Sequence, residues 1–410
     1  MENLKIDGAR LWDSLMEMAK IGATAKGGVN RLALTDLDRE SRDLFTRWCE
    51  AAGCTVTYDA IGNMFARRPG RNPDLPPVMT GSHLDSQPTG GKFDGAYGVL
   101  AGLEVVRALN DAGVETEAPV EIVVWTNEEG SRFAPAMIGS GAFAGIFELE
   151  DALATTDMDG KTMDEELVRI GYKGEGCGDH PATAYFEAHI EQGPILEDTR
   201  NTIGVVSGAQ AQRWYEITLT GRESHAGPTP MAVRRDALVG AAAIVTAVNT
   251  IGHEFQPGAC ATVGMIESRP NSRNVIPGEV FLTVDFRHPS DERLSDMNDA
   301  LEAAAKAAAE TNTLELDFKQ IWSCPAVAFD VDCVAAVRKG AEIGGYAHMD
   351  IVSGAGHDAI HMAKVAPTGM IFVPCEDGIS HNEIENATPA DIAAGCQVLL
   401  HAVLDRAGGS

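Results

Sequence analysis

Residues 76–130 change character twice, and the order of the changes confines the chain to one fold class. PPVMTGSHLD is a short apolar run ending in His83 and Asp85. DGAYGVLAGLEVVRALNDAG spaces its apolar residues as an amphipathic helix does, and PVEIVVWTNEEG is a second apolar run ending in Glu128 and Glu129. Strand, helix and strand, with polar side chains where the strands stop, is the rhythm of an α/β domain whose functional groups gather at strand ends.

The flanking sequence extends this plan. LWDSLMEMAKIG and LDRESRDLFTRWCEAAG read as helices, the second stopping at Gly53, and CTVTYDAIGNMFARRPG alternates as a hairpin bending near Gly62. Residues 150–180 are polar and read as helices and loops outside the core, and TAYFEAHIEQG is another strand. After Gly208 the pattern changes. RWYEITLTGRESHAG, ATVGMIESRP, VIPGEVFLTVDFRHPS and LELDFKQIW read as strands, with VRRDALVGAAAIVTAVNTIG and ERLSDMNDALEAAAKAAAE as helices between them. The order β-α-β-β-α-β is the ferredoxin-like split plan. The chain then returns with a helix, the glycine loop SGAGHDA, the strand GMIFVPC, His381 and a closing helix. A length of 410 residues exceeds what one core sustains. The expectation is a catalytic domain of residues 1–211 and 329–410, interrupted by an inserted α+β domain of residues 212–328.

Lys and Arg number 32 against 60 Asp and Glu, a formal charge of −28, which argues against nucleic acid or an anionic membrane surface as partner. The first twenty residues lack the basic start and apolar core of a signal peptide, and no run of about 18 apolar residues suggests a membrane span. Eight scattered cysteines without a CxxC pair read as free thiols, and the expected compartment is the cytoplasm.

Five candidate ligands stand in separate motifs: His83, Asp94 after Gly90-Gly91, one or both of Glu128 and Glu129, His189 between Glu187 and Glu191, and His381 in GISHNE. Asp85, two residues beyond His83, is placed to accept the proton of that imidazole's other nitrogen and so fix the ring. Glycines let the chain bend so that Asp94 can turn back toward His83, and an aspartate can bridge two cations. Adjacent glutamates at the end of a buried strand repel unless a cation balances them. They divide naturally into one metal ligand and one general base, because neighbours on an extended segment point in different directions. The inventory gives each of two divalent metals a His, a shared Asp and one further ligand. Zinc suits this N/O set, and manganese, cobalt or nickel fits it too.

The motifs GSHLDSQPTGGKFDG, WTNEEGSRFAPAMIGSGAFAG, AHIEQGPILE, GRESHAGPTPM, RPNSRNVIPG, DFRHP, SGAGHDA and GISHNE resemble, in type and order over nearly the whole chain, the amidohydrolase branch of the dinuclear-zinc aminopeptidase superfamily. That branch holds N-carbamoyl-L-amino-acid hydrolases, β-ureidopropionases and allantoate amidohydrolases. The resemblance implies a metallo-aminopeptidase-like domain with a mixed central sheet flanked by helices, and an inserted domain serving as lid and homodimer surface. It implies one metal on His83, Asp94 and His189 and another on Asp94, Glu129 and His381. Glu128 would be the general base and Asp85 would orient His83. Gln192, His225, Asn274, Arg287, Gly356 and His357 match substrate contacts. The residues alone agree on Arg287, since a carboxylate substrate needs a bidentate cation. The alternative for Arg287 is an ion pair with Asp285 or Asp291.

The expected reaction is hydrolysis of a ureido C–N bond in an N-carbamoyl-L-amino acid or N-carbamoyl-β-alanine. Allantoate is the alternative substrate, followed by N-acyl amino acids or peptides. A silent small-carboxylate binding protein is the non-enzymatic alternative, and retention of Glu128 argues against it, because a binder needs no base.

Overall fold

The computed structural model describes residues 3–178 and 181–408, so Asp179 and His180, the end of the polar 150–180 segment, lie outside it. The chain divides into two compact units, residues 1–208 with 328–410, and residues 209–327. The sequence places the boundaries at 212 and 328.

In the first unit a mixed sheet runs in the order Thr55–Tyr58, Met64–Arg68, Val120–Trp125, Val78–His83, Ala184–Ile190, Thr368–Val373, Ile203–Ala209. The four central strands, from Val120–Trp125 to Thr368–Val373, are parallel to one another. Every residue of those four strands is buried, as a parallel sheet covered on both faces requires. Their register aligns the strand ends: His83 pairs with Trp125, and His189 pairs with Phe372. The chain segments after these strands therefore leave the sheet at one common edge. Helices Ala96–Asp111 and Pro389–Ala407 pack against the sheet and are buried along nearly their whole length. The first sits between the two motif-bearing strands in sequence, the crossover that parallel neighbours need.

The hairpin expected around Gly62 forms with Thr55 opposite Arg67, and Gly62 takes φ 82° in its bend. Asp59 closes this turn by accepting Asn63 N at 2.8 Å.

The second unit is a four-stranded antiparallel sheet in the order Glu315–Cys324, Ala211–Thr220, Glu279–His288, Cys260–Arg269. Helices Ala237–Glu254 and Asp291–Asn312, capped by Asp236 and Ser290, cover one face. Along Glu279–His288 burial alternates strictly, and Val280, Leu282, Val284 and Phe286 meet Tyr215, Ile217, Ile244 and Leu301 in its core. In chain order this is the β-α-β-β-α-β plan.

Two strands read as continuous are broken. VIPGEVFLTVDFRH splits into Val275–Ile276 and Glu279–His288, and RWYEITLTGRESH stops at Thr220 before resuming at Ser224–His225. Pro277 has no N–H for a ladder, and at the matching point Gly221 N donates to Gly278 O at 2.7 Å. The short segments pair with each other instead, with Val275 opposite His225.

Candidate functional site

The common edge of the four parallel strands collects the polar side chains. His83 ends its strand. Glu128 and Glu129 follow Trp125, His189 lies one residue before the end of Ala184–Ile190, and His381 lies in the loop after Thr368–Val373. Asp94 comes from the loop between His83 and the helix that begins at Ala96.

Asp94 stands at the centre. Its Oδ1 is 3.1 Å from His189 Nε2 and 3.6 Å from His83 Nε2, and its Oδ2 is 3.3 Å from His381 Nε2. One oxygen thus faces two imidazoles and the other faces the third. Glu129 Oε2 is 3.4 Å from His381 Nε2, whereas Glu128 Oε2 is 3.4 Å from His83 Nε2. The two adjacent glutamates point to opposite halves of the site from a bend beyond the strand, in which Asn127 takes φ 56°. Gly95 makes this approach feasible: it takes φ 64°, and a Cβ there would stand 2.4 Å from the His83 ring.

The donor set fits two divalent metals. Donor atoms of His83, Asp94 and His189 lie within 4.8 Å of one another, as do those of Asp94, Glu129 and His381. His83 Nδ1 bonds the Asp85 carbonyl and His189 Nδ1 the Ile190 carbonyl, each at 2.9 Å. Both rings therefore donate through Nδ1 and turn Nε2, the atom that would take a metal, toward Asp94. Gly95 N also approaches His189 Nε2, at 3.2 Å.

Electrostatics agree. Burial disfavours charge on His83, yet Glu128, Asp94 and Asp85 raise its pKa well above the usual value. The Asp94 hydrogen bond raises His381 to about 9. Burial would lift Asp94, but His189, His381 and His83 pull it well below the carboxylate range. Burial, joined by Asp94, lifts Glu129 to about 7. Burial lifts Glu128 well above its ordinary value, with Asp358 and Glu129 adding to the rise. A site that draws protons onto its imidazoles and carboxylates in this way is one that a divalent cation would relieve.

Asp85 meets His83 mainly through its backbone. Its carboxylate is 3.9 Å from His83 Nδ1 and instead accepts the backbone N–H of Glu128 and of Glu129, each at 3.2 Å. The carbonyl of Asp85 holds the imidazole, because two residues on in an extended turn the backbone oxygen reaches Nδ1 before the side chain does.

Of the six expected substrate contacts, Gln192 and His357 adjoin this cluster. Gln192, at φ 58°, donates through Nε2 to Asp94 Oδ2 and Ser380 Oγ, both at 3.1 Å. His357 is buried, its ring centroid lies 4.6 Å from that of His189, and its Nε2 has no partner among the described residues. Burial and the neighbouring His189 push its pKa well below the usual value, so it is neutral. Gly356 precedes it in the same loop. His225 and Asn274 lie together in the second unit, where Ala226 N donates to Asn274 O at 2.9 Å. Arg287 donates to Asp285 at 2.9 Å, the ion pair raised as its alternative.

Four supporting residues were not legible in the sequence. Gln87 clamps Glu129 through its backbone N at 3.1 Å and its Nε2 at 2.7 Å. Glu187 accepts from Ser82, Tyr185 and Ala359 N. Glu385 and Ser380 bracket Asp94. Each matters through a partner distant in sequence. Only Glu187, beside His189 in an apolar strand, carried a local signal, a charge where a core residue belongs.

The model of peptidase family M20/M25/M40 matches residues 79–405. An N-carbamoyl-L-amino-acid amidohydrolase of Rhizobium meliloti is 52% identical over 407 residues, covering 99% of this chain and 98% of that one. A second, from Geobacillus stearothermophilus, is 38% identical over 98% of this chain and 100% of its own. The crystal structure of a hydantoinase/carbamoylase family amidase from Burkholderia multivorans superposes with a TM-score of 0.96 at 65% identity, over 98% of both chains. With its metal-type donors gathered at the edge of such a sheet, the chain belongs to peptidase family M20/M25/M40, alongside the hydantoinase/carbamoylase amidases.

Proposed function

We propose that the protein hydrolyses the ureido C–N bond of an N-carbamoyl-L-amino acid or N-carbamoyl-β-alanine. The observation that carries the reading is the divergence of Glu128 and Glu129, one carboxylate beside each half of a donor set for two metals. The relatives named for carbamoyl-amino-acid hydrolysis support the substrate class.

His83, Asp94 and His189 would hold one ion and Asp94, Glu129 and His381 the other, zinc first, with manganese, cobalt or nickel as alternatives. Such ions, when bound, acidify water and favour negative charge on a carbonyl oxygen. Glu128 takes a proton from the attacking water, and its raised affinity for protons suits it to that task. The new C–O bond forms at the carbamoyl carbon, and His225 supports the oxygen that gains charge. Glu128 then gives its proton to the amino-acid nitrogen as that C–N bond breaks. The carbamate fragment decomposes to carbon dioxide and ammonia. Arg287 receives the substrate carboxylate, exchanging Asp285 for it, with Gln192, Asn274, Gly356 and His357 as further contacts.

The inserted unit also serves as a homodimer surface in this reading. Helix Ala237–Glu254 supports it by exposing Leu238, Val239 and Val245. Sedimentation as a monomer at micromolar concentration would refute that part. A reducing, cytoplasmic setting accords with cysteines that form no disulfide among the described residues, and a count of fewer than eight reactive thiols in denatured protein would oppose it.

The test is ammonia release by metal-loaded protein from N-carbamoyl-L-amino acids, N-carbamoyl-β-alanine and allantoate, with a chelated control. Chelator-sensitive release from either of the first two upholds the reading, and release from allantoate alone replaces the substrate. Release from none, with metal bound, moves the assignment to acyl or peptide substrates, and then to a binding role.

A further inference from the structure

The loop that carries His381 is mostly open to solvent. From Glu376 to Asn386 its residues are exposed or half-buried, and the His381 side chain is 52% exposed. The exception is Glu385, 1% exposed. Its carboxylate reaches into the chain around Asp94, where Oε1 accepts Phe93 N, 292 residues away in sequence, at 2.9 Å and Asp94 N at 3.1 Å. Its other oxygen accepts the Ser380 hydroxyl at 2.8 Å, and that hydroxyl also lies 3.3 Å from Asp94 Oδ2. The fit leaves no slack, since a Cβ on Gly91 would stand 2.0 Å from Glu385 Cδ.

We infer that Glu385 is the positioning residue of the metal centre, fastening the loop of His381 to the loop of Asp94 so that both side chains meet one ion. A buried carboxylate with three donors is a rigid tie, because losing it would strand the two buried N–H groups of Phe93 and Asp94. Without it His381 hangs on an exposed loop, and ordering that loop would fall on the metal. The first ion shares Asp94 but draws both of its imidazoles, His83 and His189, from strand ends that need no such tie. The second depends on the loop. This inference rests on the two-metal reading above, and its consequence is selective: loss of Glu385 weakens one site.

The experiment is Co(II) titration of metal-free protein, followed by visible absorption and without substrate. Wild type is expected to take two equivalents. Glu385→Ala should keep the first and bind the second at least about 10-fold more weakly, with altered absorption at that step. Glu385→Gln should restore affinity to within about threefold, since its carbonyl keeps both backbone N–H groups and its amide reaches Ser380. A wild type that takes fewer than two equivalents overturns the two-metal reading and this inference with it. Two normal equivalents in Glu385→Ala overturn the positioning role alone, as does equal weakening of both steps or failure of Glu385→Gln to rescue. If Glu385→Ala does not fold, Ser380→Ala takes its place, cutting the Oε2 arm together with the hydroxyl's contacts to Gln192 and Asp94. The same selective weakening is expected, and unchanged binding would overturn the role.

Discussion

The carboxylate of Asp85 accepts the backbone N–H of Glu128 at 3.2 Å, and its second oxygen takes the N–H of Glu129. One side chain thus sets the direction in which both glutamates leave the strand, while its carbonyl orients His83. Asp85→Ala should strand two N–H groups, at about 1–3 kcal/mol each where burial is complete. We expect a lower melting temperature and kcat reduced about 10–100-fold, with KM less affected. Wild-type kcat in a folded Asp85→Ala protein would show that the glutamates are held by something else.

Among the described residues Glu128 touches no second donor as Glu129 does, which fits a group that must exchange protons. Glu128→Gln should bind metal normally and lose about 10²–10⁴-fold in turnover. Metal analysis beside steady-state rates separates this from a ligand role, which would lower metal content as well.

Gln87 holds both oxygens of Glu129. Gln87→Ala keeps the backbone donor and loses the shorter bond, so metal affinity should fall about 10-fold. Calorimetric titration of metal-free protein reads it directly, and unchanged affinity would leave the clamp without consequence.

Arg287 is partnered by Asp285 and is 29% exposed, so it can be approached. Arg287→Ala should raise KM for carbamoyl substrates about 10–100-fold with a smaller change in kcat. Arg287→Lys should not rescue it, because a point charge cannot make the paired bonds of a guanidinium. A KM within error of wild type would remove Arg287 from the carboxylate site.

Metal-free protein should lose stability as pH rises. Glu129 is raised from 4.5 to about 7, chiefly by burial, and His381 from 6.5 to about 9, chiefly by its hydrogen bond to Asp94. Both groups hold protons more tightly folded than unfolded. Their contribution is present below the unfolded values and disappears as pH climbs through about 7 and then about 9. Bound cations should replace those protons, so the melting temperature gained from metal should grow between about pH 6 and about pH 9. A gain independent of pH would mean that these groups do not meet the ion.

The alternation of apolar and amphipathic runs determined the α/β class, the inserted ferredoxin-like order and the motifs at strand ends, because side-chain periodicity is a local property that any window of sequence reveals. It also singled out His83, Asp94, Glu128 and Glu129 as chemistry, since charged groups beside buried strands demand a reason, and His189 and His381 joined them only as members of the set. Which atoms meet was decided only in the tertiary structure. Parallel register brought the strand ends to one edge, and whether Asp85 spends its carboxylate on an imidazole or on two peptide groups depended on how the next strand lies beside it. The split at Pro277 and the anchoring of His381 through Glu385 were equally hidden. A hydrogen bond spanning 292 residues leaves no trace in the composition of either end, because the partner of a polar group is chosen by packing and not by its neighbours along the chain.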